Sequence, residues 1–176
     1  MNLELESMAI EMPRVEGHPN RAPFHGVLTL VDVASDKSPA GARGHRVYLM
    51  RSAAEAALAS LLGMALDYSP SFDRHDARRK VGVITRAEIS GKALVLRGHV
   101  FAKDFPELVR ELSATRERTG TALASGRRLG MSYEIADARV ADTRAKVWTL
   151  TQVTFTGAAI LRRDKAAYRN TWIELV

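Results

Sequence analysis

The sequence predicts an α+β fold, a mostly antiparallel barrel or sheet with helices outside it. Three observations carry that expectation. Short runs rich in Val, Ile and Leu recur with turn residues between them. Only two or three segments show helical spacing. No regular alternation of strand and helix marks a parallel βαβ sheet. At 176 residues the chain suits one domain able to bury a sizeable core. Residues 1–23 carry Pro13, Pro19, Pro23 and Gly17 among mixed charges and read as a flexible arm, leaving 24–176 as the folded domain.

Each element has its own signal. Residues 24–33 alternate weakly and favour a strand, 34–44 hold the Ser, Asp, Pro and Gly of a loop, and 46–50 form a short strand. Ser52 and Glu55 have the spacing of a capping box, so the Ala/Leu-rich stretch after them should be helical until Gly63 stops it. Strands over 81–89 and 93–101 are joined across Ser90-Gly91-Lys92 as a hairpin. Asp104, Glu107 and Pro106 signal another helix start. Phe105, Leu108, Val109, Leu112, Thr119 and Leu123 then give one apolar stripe, a core face. Gly126 and Gly130 bracket the entry to a strand containing Ser132. Further strands are expected over 136–142 and 146–156, and a short terminal helix over 161–169.

Composition narrows the function classes. The chain has no cysteine, which excludes disulfides and thiolate metal sites and fits a reducing compartment. No apolar run approaches the ~20 residues that span a bilayer, and the first residues are acidic where a secretory signal is basic. The reading is a soluble intracellular protein. Residues 1–40 hold three Lys/Arg against six Asp/Glu and the remainder 23 against 14, so a −3 arm precedes a +9 body. A basic body raises the possibility of nucleic acid. However, Arg78-Arg79-Lys80, Arg127-Arg128 and Arg162-Arg163 have no aromatic interleaving and no nucleic-acid motif, so a solvated surface is the better reading. His18, His25, His45 and His99 lack metal-ligand spacing.

Two residues carry the chemistry. His75 lies in Phe72-Asp73-Arg74-His75-Asp76, just before a strand, and Ser132 lies in Leu129-Gly130-Met131-Ser132-Tyr133-Glu134-Ile135, inside one. A serine hydroxyl becomes a useful nucleophile when an imidazole within reach takes its proton. The pair is separated by 57 positions, so only the tertiary fold can unite it. Glu134 alternates with Ser132 and shares its side of the strand. It reads equally as a supporting partner or as a solvated strand residue.

The order of these motifs, with Val81-Gly82-Val83-Ile84, Leu150-Thr151-Gln152-Val153-Thr154-Phe155, the run from Phe155 to Leu161 and Asp164-Lys165-Ala166-Ala167-Tyr168, resembles the prohead (capsid maturation) serine proteases of tailed bacteriophages. That family is similar in fold to the herpesvirus assemblins. The resemblance covers residues 24–170 and implies a closed β-barrel surrounded by helices. It implies Ser132 as nucleophile and His75 as general base, with no metal or organic cofactor. The implied substrates are scaffold and capsid protein segments, and the protease's own ends, inside an assembling procapsid in the host cytoplasm. Assemblins act as dimers, so a homodimer is implied, with nothing here to locate its interface.

Family members commonly carry a carboxylate where this chain has Gln152. An amide orients an imidazole without supplying charge, and Gln152 is the third member this alignment gives, with Asp76 and His99 as other candidates. Assemblins also place an arginine-bearing loop near the acyl carbonyl, and Arg162-Arg163 sits in a comparable region as the oxyanion candidate. An Arg pair near a chain end is also ordinary surface charge. The expected function is therefore a serine endopeptidase of capsid maturation. The alternatives are a catalytically impaired relative acting as an assembly factor, favoured by Gln152, and a basic nucleic-acid-binding domain.

Overall fold

The structure, a computed structural model, describes residues 17–117 and 129–176. Eight strands build one sheet: β1 (Ala22–Leu30), β2 (Arg46–Leu49), β3 (Ala65–Asp67), β4 (Lys80–Ser90), β5 (Ala93–Val100), β6 (Leu129–Val140), β7 (Val147–Arg162) and β8 (Trp172–Leu175). Among the described residues two α-helices accompany them, α1 (Arg51–Ala57), continued by a 3-10 turn over Leu58–Leu61, and α2 (Pro106–Glu117). The ladder runs β2-β7-β3-β4-β5-β1-β8, and β6 pairs with β7. β2 and β3 pair parallel with β7, whereas the other ladders are antiparallel.

This corrects the expected closed barrel surrounded by helices. The sheet is an open half-barrel, with two short helices among the described residues. Closure would require β6 to ladder with the β1–β8 edge. Instead the Met131 N–H donates to the Thr171 hydroxyl at 3.2 Å, so a side chain takes the place of the first ladder acceptor. Residues 136–140, expected as a separate strand, continue β6, and β7 runs on past the expected end at 156 to Arg162, into the start of the expected terminal helix. From Gly157 to Leu161 every β7 residue is buried, so this stretch lacks the alternation of a half-exposed strand.

The expected helix over 161–169 is absent. Residues 161 and 162 end β7 and turns fill the rest of that span, which the single Tyr168 O–H pins by being shared between the carbonyls of Val33 and Val47 at 3.1 and 3.2 Å. β3 and β8, unforeseen in sequence, are only three and four residues long.

The Ser52–Glu55 capping box is also corrected. Met50 is the N-cap, without a side-chain bond, and Asp32 Oδ1 accepts the Arg51 N–H at 3.0 Å from across the fold. The hairpin stands as expected, turning at Gly91 with φ +56°. α2 docks through Leu108 and Leu112, both buried with Phe24, Leu66, Ile84, Leu96 and Phe155 in the sheet's core. The remainder of its expected stripe, Thr119 and Leu123, lies outside the described residues, as does most of the arm.

Candidate functional site

Strand register assembles one side of the site. Ser132 on β6 lies opposite Ala159 on β7, and Ala159 lies opposite Asp67 on β3. Laterally paired residues point to the same side of a sheet, so the serine and the aspartate share a face. Glu134, two residues past Ser132, shares it too and lies opposite Gly157. That glycine leaves room for the carboxylate, because a Cβ there would sit 2.9 Å from Glu134 Oε2.

The loop between β3 and β4 brings His75 over this face. Phe72 turns it in the left-handed region (φ +52°), and Asp73 Oδ1 accepts from the hydroxyls of Ser69 and Ser71. Those bonds hold the Asp73 carboxyl below its ordinary pKa. The Arg162 N–H donates to the Phe72 carbonyl at 2.8 Å and ties the loop to the end of β7. The Asp76 N–H donates to Asp67 Oδ1 at 2.9 Å and ties it to β3.

His75 Nδ1 then lies 3.0 Å from Glu134 Oε1 and 3.9 Å from Asp67 Oδ2. An ionised carboxylate only accepts, so Nδ1 carries the hydrogen and Nε2 presents its lone pair. His75, Ser132 and Glu134 line a cleft of about 540 Å³ together with Val47, Trp148 and Leu150. The serine hydroxyl and the imidazole share this cleft without a hydrogen bond between them. Catalytic contacts of this kind often tighten only when substrate is bound.

Asp67 is fully buried. Burial pushes its carboxyl above the ordinary carboxylate value; the Asp76 N–H opposes this, while a hydrogen bond shared with the Glu134 carboxyl, and then the Glu134 charge, push it further up. Lys80 Nζ stands 3.7 Å from Oδ2 as a partly exposed counter-charge. Tyr133, between Ser132 and Glu134, meets Phe155 edge-on, and burial raises its phenol well above the ordinary value.

The remaining sequence candidates lie apart from this cluster. Gln152 is exposed and paired with Arg139, five β7 residues from Gly157, about 17 Å along the strand. The Asp76 carboxylate accepts the Arg78 N–H at 3.1 Å. His99 sits on β5 beside Phe101, its pKa lowered chiefly by burial. Arg162 forks onto Asp164 at 3.1 and 3.2 Å, and Arg163 donates to the Arg169 carbonyl, so both candidate oxyanion guanidiniums have partners elsewhere. Sequence reasoning missed Asp67 altogether, because its place depends on a three-residue strand and the register of β7. The sequence matches no protein-family model and no curated protein.

Proposed function

We propose that this chain is a serine endopeptidase of the capsid-maturation type, with Ser132 as nucleophile, His75 as general base and Glu134 as the group that orients the base. The observation that carries the reading is the 3.0 Å contact between His75 Nδ1 and Glu134, on the sheet face that also holds Ser132. It turns Nε2 into the available base and supplies a negative charge for the imidazolium that forms.

Ser132 Oγ attacks a peptide carbonyl as His75 Nε2 takes its proton. His75 then protonates the leaving amine, and a water, deprotonated by the same ring, releases the acyl group. The substrates proposed are scaffold and capsid segments, and the protease's own ends, inside an assembling procapsid. The 540 Å³ cleft beside Ser132, walled largely by apolar side chains, suits an extended peptide segment.

An impaired assembly factor on the same fold is the competing reading. Gln152 was its support, and Glu134 now supplies the carboxylate that Gln152 lacks. Co-expression with the capsid and scaffold proteins of the same source, followed by intact-mass analysis, separates the two. The protease reading expects fragments that vanish in Ser132→Ala. Intact partners that co-purify equally with both forms would overturn it in favour of the assembly factor.

A further inference from the structure

We propose that Asp67, His75 and Glu134 form a divalent-cation site, suited to zinc, and that occupying it switches the serine chemistry off. The cation site itself stands on its own geometry, whereas the switching rests on the protease reading above. One donor atom from each residue lies within 4.8 Å of the other two. One imidazole nitrogen and two carboxylates, with a position left open towards the cleft, form a donor set that zinc accepts. A second observation points to a cation. Asp67 is fully buried on β3, yet no donor lies within hydrogen-bond distance of its Oδ2, which faces only Lys80 Nζ at 3.7 Å, His75 Nδ1 at 3.9 Å and the Glu134 carboxyl. A buried carboxylate oxygen without a donor is costly, and a metal ion would satisfy it.

The distances fit once two side chains adjust. Zinc bonds of about 2.0–2.2 Å hold neighbouring donors roughly 3.3 Å apart. Nδ1 lies 3.0 Å from Glu134 Oε1 and 3.9 Å from Asp67 Oδ2. The two carboxylate donors lie within 4.8 Å of each other, so completing the set requires the Asp67 and Glu134 side chains to close by about 0.5–1.5 Å. Lys80 Nζ, 3.7 Å from Oδ2, is the resident competitor. Its side chain is 40% exposed and has solvent to swing into when a dication arrives.

The switching follows from the imidazole. The unoccupied site holds the ring hydrogen on Nδ1 and leaves Nε2 as base. A metal on Nδ1 requires that nitrogen's lone pair, so the ring hydrogen moves to Nε2. Nε2 then cannot take the proton of Ser132.

Titrating zinc chloride into the full chain by calorimetry tests the site. We expect one binding event, weakened at least ~10-fold by Glu134→Gln and by Asp67→Asn. Lys80→Ala should tighten it several-fold, which a merely structural cluster would not do. Ser132→Ala should leave it unchanged. Glu134 is partly exposed, so its variant keeps the test valid if the buried Asp67→Asn chain fails to fold. The second readout is labelling of Ser132 by a fluorophosphonate, which zinc should suppress and EDTA restore. Absence of binding, or binding indifferent to Glu134→Gln and Lys80→Ala, overturns the site. Binding at the cluster with undiminished labelling overturns the switch. Zinc binding in a chain that never labels would sink the protease reading and leave the cation site standing.

Discussion

Replacing Glu134 by glutamine removes one charge while keeping the shape of the contact with His75. In the acylation transition state the ring becomes an imidazolium, with Nδ1 3.0 Å from Glu134 Oε1. At an effective dielectric near 20, unit charges at that separation interact by about 5 kcal/mol. The two side chains are 27% and 24% exposed, so water lowers the useful part to about 3 kcal/mol. Tenfold in rate corresponds to about 1.4 kcal/mol, so acylation should slow ~10²-fold. The amide also has a donor face, which would favour the wrong ring tautomer and slow it further. The assay is the rate of fluorophosphonate adduct formation, followed by intact mass in native protein, Glu134→Gln and Gln152→Ala. The reasoning fails if Glu134→Gln reacts at near-native rate while Gln152→Ala is slow, because Gln152 would then orient the base.

Three further outcomes follow from the same geometry. Gly157→Ala places a Cβ 2.9 Å from Glu134 Oε2 and 3.2 Å from the Ala65 carbonyl, and that backbone oxygen cannot step aside. Adduct formation should fall about tenfold with a stability loss of about 1–2 kcal/mol, read by denaturant titration. The Tyr68 hydroxyl, just past β3, donates to Glu107 on α2 and holds its carboxyl below the ordinary value of 4.5. That contribution is complete above the unfolded value and disappears as pH falls through the lowered folded one, so the gap in Tm between native and Glu107→Gln should close in acid. A constant gap would refute the link. Leu108→Ala empties a fully buried position between α2 and the sheet and should cost about 2–5 kcal/mol in chemical unfolding.

Periodicity exposed those elements whose own residues specify them. The β4–β5 hairpin is written in two strand-like runs around Gly91, and the start of α2 in Pro106 and Glu107. β3 and β8 are too short to show a period, and their pairing with β7 and β1 is a tertiary fact. β7 hid its end for a different reason. Residues 157–161 are all buried, and an uninterrupted apolar run does not distinguish strand from buried helix.

The same divide runs through the site. Ser132 and His75 were readable from local motifs, and Glu134 from its two-residue offset on the strand. Asp67 carried no local signal. It shares a face with Ser132 and Glu134 only because β7 lies between β3 and β6. Motif alignment suggests Gln152, yet the carboxylate beside His75 Nδ1 is that of Glu134 on β6, one strand away.

The most direct measurement of the central claim is peptide mapping by mass spectrometry after treating the native chain with a fluorophosphonate. The account predicts a single adduct on Ser132 that is lost in His75→Ala. An unmodified chain, or an adduct that persists without His75, would contradict it.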